Sequence, residues 1–211
     1  MNKNKRILLI AVSAFIAVST ICVAVYGISR GASEGQLGSE MVGTGWLKAF
    51  TNLSNLLMGV CAAVLLCCLL RKGEVPFSVY VLQLTGTTAV GLTMLVVIFF
   101  LAPMWGINGY GWTAMFKRDM FFFHLLNPLL ASLSFIFLQE SSGFKLRHRL
   151  IAVIPTVAYS LLYMTNVLIL KRWSDFYNFT LGGKMWMVPV SVAVLYSASF
   201  GIASFLVKFK K

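Results

Sequence analysis

An all-α, polytopic membrane protein with six transmembrane helices is the fold class this sequence predicts, on three observations. Hydrophobic residues make up 59% of the chain and charged ones 11%, with mean hydropathy +0.84, whereas soluble domains carry about a quarter charged residues. Apolar runs follow one another, each long enough to cross roughly 30 Å of hydrocarbon, which takes about 20 helical residues. The basic residues cluster between and beside those runs.

The first run, Ile7 to Ser29, follows Lys3, Lys5 and Arg6 as a secretory signal would. Its apolar stretch exceeds the roughly 7 to 15 residues of a signal core, so it reads as an uncleaved helix. Leu47 to Leu70 comes second and opens on several polar residues. The third, Phe77 to Ala102, spaces Gly86, Ala89 and Thr93 for close helix contact, as the sixth, Trp186 to Val207, does with Ser197 and Gly201. Met120 to Gln139, the fourth, contains a histidine, and Leu150 to Leu170 is the fifth. Cys22, Cys61, Cys67 and Cys68 all fall within runs and fit neither a disulfide framework nor a zinc site, so they read as small packing residues. No loop is long enough for a soluble module, and residues 1–211 read as one six-helix domain. No repeat or pair of broken spans argues for a transporter.

The net charge of +12 would suit nucleic acid if it lay on one face of a soluble module. Dispersed among loops, it reads as a topology signal, and no nucleic-acid partner is expected. With the N-terminus inside, inner segments hold Lys3, Lys5, Arg6, Arg71, Lys72, Lys145, Arg147, Arg149, Lys208, Lys210 and Lys211. Outer ones hold Arg30, Lys48, Lys117, Arg118, Lys171, Arg172 and Lys184, which places both termini in the cytoplasm. Glu34, Glu40, Asp119 and Asp175 also fall outside, where the loops are longer. Contacts are therefore expected from the outer side or the outer leaflet of a plasma membrane, bacterial by the chain's small size and basic tail.

Polar side chains at membrane depth need partners or a function. At 1.5 Å per residue, Thr51 lies roughly 6 Å and Asn55 roughly 12 Å below the outer end of the second helix, with His124 roughly 9 Å and Asn127 roughly 13 Å down the fourth. Asn166, on the outward-running fifth helix, sits only a few residues below the same surface. Thr51 and Asn55 are i and i+4, with Asn52 on that broad face and Ser54 further round. Phe121, Phe122 and Phe123 read as lipid or core contacts. His148, in a basic inner loop, reads as solvated.

A threonine hydroxyl becomes a nucleophile when a base takes its proton, and imidazole suits that task near neutral pH. Asp175, Asn127 and Asn166 are open candidates for orienting the base. Helix-joining hydrogen bonds would equally account for these residues. One histidine without nearby acids or cysteines implies no metal, and no cofactor is expected. Residues 173–184 alternate aromatics with Asp175 and Asn178 before the turn Gly182-Gly183. They read either as a lid over the polar cluster or as an interfacial aromatic belt. Asn178-Phe179-Thr180 also fits a glycosylation acceptor.

With "FTNLSNLL" (residues 50–57) opening the second span and His124 preceding Asn127-Pro128 in the fourth, the chain resembles the androgen-induced-gene and androgen-dependent TFPI-regulating proteins and their bacterial relatives. That resemblance implies an intramembrane threonine hydrolase of lipidic esters, with Thr51 as nucleophile and His124 as base. Asn55, Asn127 or loop residues would then stabilise the oxyanion, and Asn52, Asn166, Asp175 and Asn178 would complete the substrate site. The rival expectations are a non-enzymatic lipid- or small-solute-binding protein or carrier, and an assembly subunit.

Overall fold

The computed structural model describes residues 2–29, 43–71 and 74–210; Arg30, Glu34, Glu40, Lys72 and Lys211, counted above among the loop charges, lie outside them. Among the described residues six helices are long and apolar enough to cross a membrane: α1 (Lys3–Ser29), α2 (Phe50–Leu70), α3 (Phe77–Ile107), α4 (Asp119–Leu138), α5 (Leu146–Ile169) and α6 (Met187–Lys208). No strand occurs among the described residues. The chain is an integral membrane protein, and its spans match the sequence reading in number and order. All Asp, Glu, Lys and Arg residues within the helices sit in a first or last turn.

α3 is the central helix, packed against α2, α4, α5 and α6, while α1 lies against α2 and α4. Its sequence explains the position, because Gln83 through Thr93 are buried without a break and a helix buried all round needs small or self-satisfied residues. A Cβ on Gly86 would stand 2.9 Å from Cys61 Sγ and 3.3 Å from Met58 Cα, so the glycine sets the α2–α3 approach. Thr85 returns its hydroxyl to Val81 O (2.9 Å), and Gln83 Nε2 donates to Cys61 O (2.6 Å). The small pair expected on α6 does not serve in this way. Ser197 is exposed and nothing approaches Gly201 within 4 Å; α6 turns Ser199, Ala203 and Leu206 inward instead.

Among the described residues, three spans contain π-helical turns: α3 at Val97–Leu101, α4 at Phe122–Leu126 and Ser134–Leu138, and α5 at Thr165–Ile169. Two of these lead into Pro103 and Pro128. A proline has no N–H to continue the ladder, and a widened turn accommodates its ring.

Both termini gather at one end of the bundle. Lys5 Nζ stands 3.6 Å from Glu140, Arg6 donates to Leu69 O at the end of α2, and Lys210 Nζ donates to Ile136 O (3.0 Å) at the end of α4. His148, at this end, is not solvated. It is buried in the first turn of α5, where Nδ1 accepts Lys145 N–H (2.9 Å) and the ring stands edge-on to Phe77 and Phe144. Those two aromatics shield it from water despite the basic residues beside it.

Candidate functional site

The opposite end holds the predicted site residues, and α2 divides them into two groups. Its entry is fixed by a 3₁₀ turn, Gly43–Lys48, whose Trp46 is buried against Phe123. Asn52 faces this turn, with Nδ2 donating to Trp46 O (2.7 Å). Thr51 points elsewhere, into a cavity of about 360 Å³ between α2, α3, α5, α6 and the segment after α5. Ser54, read as lying further round than Asn52, is the one on the cavity's side. Its hydroxyl pairs with that of Thr93 (2.9 Å), a residue of the cavity wall.

Residues 173–184 fold over this cavity as a lid, and Tyr177, Asn178, Phe179 and Leu181 form part of its wall. Asp175 organises the lid by accepting four hydrogen bonds. Tyr163 Oη and Phe179 N–H reach Oδ1 (both 2.9 Å), while Thr180 N–H (2.9 Å) and Thr180 Oγ1 (2.7 Å) reach Oδ2. Burial alone would raise the Asp175 carboxyl, but the hydrogen bonds from Thr180, Phe179 and Tyr163 outweigh it and hold the group below the usual carboxylate range. Tyr163 Oη in turn accepts Tyr177 N–H (3.0 Å). The lid closes through Gly182 and Gly183, both at positive φ as the predicted turn requires.

Tyr177 ties the lid to α2. Its Oη accepts Phe50 N–H (2.9 Å), one of the otherwise orphan donors of the helix start, and it meets the Thr51 side chain. Burial pushes the Tyr177 phenol above its ordinary range, so it stands as a neutral hydroxyl. The remaining polar side chains of the wall are occupied elsewhere. Thr156 pairs with Ser199 (3.2 Å), Ser160 with Tyr196 (2.6 Å), and Ser191 donates to Phe179 O (3.3 Å). Tyr159 donates to Lys48 O (2.6 Å), and Asn178 Oδ1 accepts Gly182 N–H (2.8 Å) on the exposed side.

The second group lies in the seam between α1, α2 and α4. Asn127 N–H bonds Phe122 O across the π turn, and Pro128 has no N–H to offer Phe123 O. Asn55 supplies the missing donor: its Nδ2 bonds Phe123 O (3.1 Å) and also Thr51 O (2.8 Å), joining the turn that carries Thr51 to the turn that carries His124. Asn127 Oδ1 accepts Ser19 Oγ (3.0 Å) on α1. Thr20 Oγ1, Asn55 Oδ1 and Asn127 Nδ2 are buried without a partner among the described residues. His124 is buried, and its Nδ1 lies 2.6 Å from Met115 O in the 3₁₀ turn Trp112–Phe116. A carbonyl only accepts, so Nδ1 carries the proton and Nε2 the lone pair.

Equal depth therefore did not mean one site. Thr51 and Asn178 line the cavity; Asn55, His124 and Asn127 line the seam; Asn52 serves the entry turn. His124 is not on the cavity wall, and among the described residues no hydrogen bond joins it to Thr51. Asn166 binds back to Leu162 O (2.9 Å) on its own helix and does not reach the cavity. Asp175 orients the lid rather than the histidine. Tyr177, Tyr163 and Met115 were not singled out from the sequence, because each acts through a contact with another element; the aromatic alternation around Asp175 was the one signal, and it pointed toward Tyr177 alone. No group of three or more His, Cys, Asp or Glu able to hold a metal ion exists among the described residues. Compared with known proteins, the chain matches no family model, no curated protein and no solved structure.

Proposed function

We propose that the protein is a membrane-embedded hydrolase or acyl-transfer enzyme that takes the acyl chain of a lipidic ester into the cavity and reacts at Thr51. The observation that carries this reading is a hydroxyl on the wall of a largely apolar cavity near one end of the bundle. Thr51 Oγ1 attacks the ester carbonyl carbon, and its proton passes to His124 Nε2 and on to the departing alkoxide. Water then cleaves the acyl-threonine or, in transfer, an alcohol does. His124 suits the part by its tautomer, and Asn55 holds its turn against that of Thr51. The proton must cross this seam, which requires water between the two side chains.

Labelling by a fluorophosphonate probe of the protein in detergent tests the reading. Wild type is expected to label, and Thr51→Ala and His124→Ala to lose the label while remaining folded. A folded wild type that stays unlabelled would overturn it. His124's position outside the cavity favours a second reading, a non-catalytic acyl-binding protein or carrier, for which ligand-induced thermal shifts without labelling are the signature.

A further inference from the structure

The cavity reading leaves open which way round a ligand lies and what receives its polar end. The wall answers by elimination. Thr93, Thr156, Ser160, Ser191 and Tyr159 each spend their hydroxyls on neighbouring helices or on backbone. The hydroxyls that remain are those of Thr51 and Tyr177, one on α2 and one on the lid, set against each other beside Tyr159 at a single end of the cavity, while Asn178 turns its Oδ1 to Gly182 N–H on the exposed side. From that end the wall continues along Leu92, Val96, Val190, Val194 and Leu195, with no charged residue among them. A carbonyl oxygen placed among those aliphatic side chains would lose its hydrogen bonds to water without replacement.

We infer that Tyr177 is a substrate-seating residue. Its hydroxyl donates a hydrogen bond to the carbonyl oxygen of a single acyl ester held against Thr51, and the chain runs from there between α3 and α6 toward the middle of the bilayer. The inference rests on the reading that the cavity takes an acyl chain, but it does not require that the ester be cleaved. Being neutral, the phenol has a proton to give, which turns from the Tyr159 oxygen to the incoming carbonyl, while its own oxygen keeps the Phe50 N–H. In an enzyme the same donor would face the developing oxyanion, a role for which Asn55 is unsuited because its Nδ2 is shared between two carbonyls.

Two photoprobes test this: long-chain fatty-acid methyl esters carrying a diazirine either beside the carbonyl or at the methyl end, crosslinked in detergent and mapped by mass spectrometry. The carbonyl-side probe is expected to mark residues 50–51 and 177–179, and the methyl-end probe residues 92–96 and 190–195. Tyr177→Phe should weaken capture of the carbonyl-side probe about tenfold, and Thr51→Val should do so as well. A matching alkyl diazirine without an ester should be captured equally by wild type and both variants, which a merely unfolded variant could not achieve. Reversed crosslinks, or undiminished ester capture by both variants, would overturn the inference. Correct crosslinks without fluorophosphonate labelling would leave it standing and remove only the enzyme; labelling with reversed crosslinks would do the opposite.

Discussion

The seam around Asn55 and the cavity around Thr51 start one helical turn apart on the same helix, yet they treat polar side chains in opposite ways. In the seam, the Asn55 amide bridges two carbonyls and Asn127 takes the Ser19 hydroxyl. In the cavity, the Thr51 hydroxyl meets that of Tyr177 at the edge of an open apolar volume. The difference teaches how to read polar residues at membrane depth. A side-chain donor taken up by backbone carbonyls, as Asn55 Nδ2 is, joins helices even where its other polar atom has no partner, and a hydroxyl facing a cavity is available to a ligand.

The most disruptive test of this contrast is Asn55→Leu. It leaves Phe123 O buried beside Pro128 with no donor, and a loss of about 2 kcal/mol is expected, seen as a lower unfolding temperature in detergent. Asp175→Ala comes next. The lid loses the acceptor of four hydrogen bonds, and about 1 to 2 kcal/mol of local stability should go with it. Trypsin should then cut at Lys171, Arg172 or Lys184 faster while the spans stay folded. Acid should reproduce part of this effect. Because the Asp175 carboxyl lies below its ordinary range in the folded protein, its contribution is complete above the usual carboxylate range and is lost as pH falls through the depressed value. Lid cleavage by an acid-active protease should therefore rise below about pH 4, where unperturbed carboxylates titrate, and Asp175→Ala should abolish that rise. Ser19→Ala removes one helix-joining bond in the seam, for about 0.6 kcal/mol. The smallest change is expected from Thr51→Val, within about 0.5 kcal/mol of wild type in thermal unfolding. A large loss there would make Thr51 another joining residue and erase the contrast.

The fold was legible because hydrocarbon imposes a length and a composition on each span, and both are local properties of the sequence. The depth of Thr51, Asn55, His124 and Asn127 was legible for the same reason, since rise per residue is fixed. Direction was harder. Neighbouring residues on a helix point about 100° apart, so Asn52 and Thr51 part company at once, and Ser54 lies nearer to Thr51 than Asn52 does. Which way α2 is rotated depends on Gly86 and Trp46, whose partners Cys61, Met58 and Phe123 come from other parts of the chain. His148 was misread because three neighbouring basic residues suggested water, whereas Phe77, far away in sequence, covers the ring.

Between the terminal turns of the six spans there is no carboxylate, ammonium or guanidinium among the described residues. The transmembrane potential does work on a protein in proportion to the charge moved, about 2.3 kcal/mol per elementary charge for each 100 mV. A rearrangement confined to the neutral interior moves none, so shifts of the helices around the cavity should proceed alike in energised and depolarised membranes, and only movement of the lid, which carries Asp175 and Lys184, displaces charge.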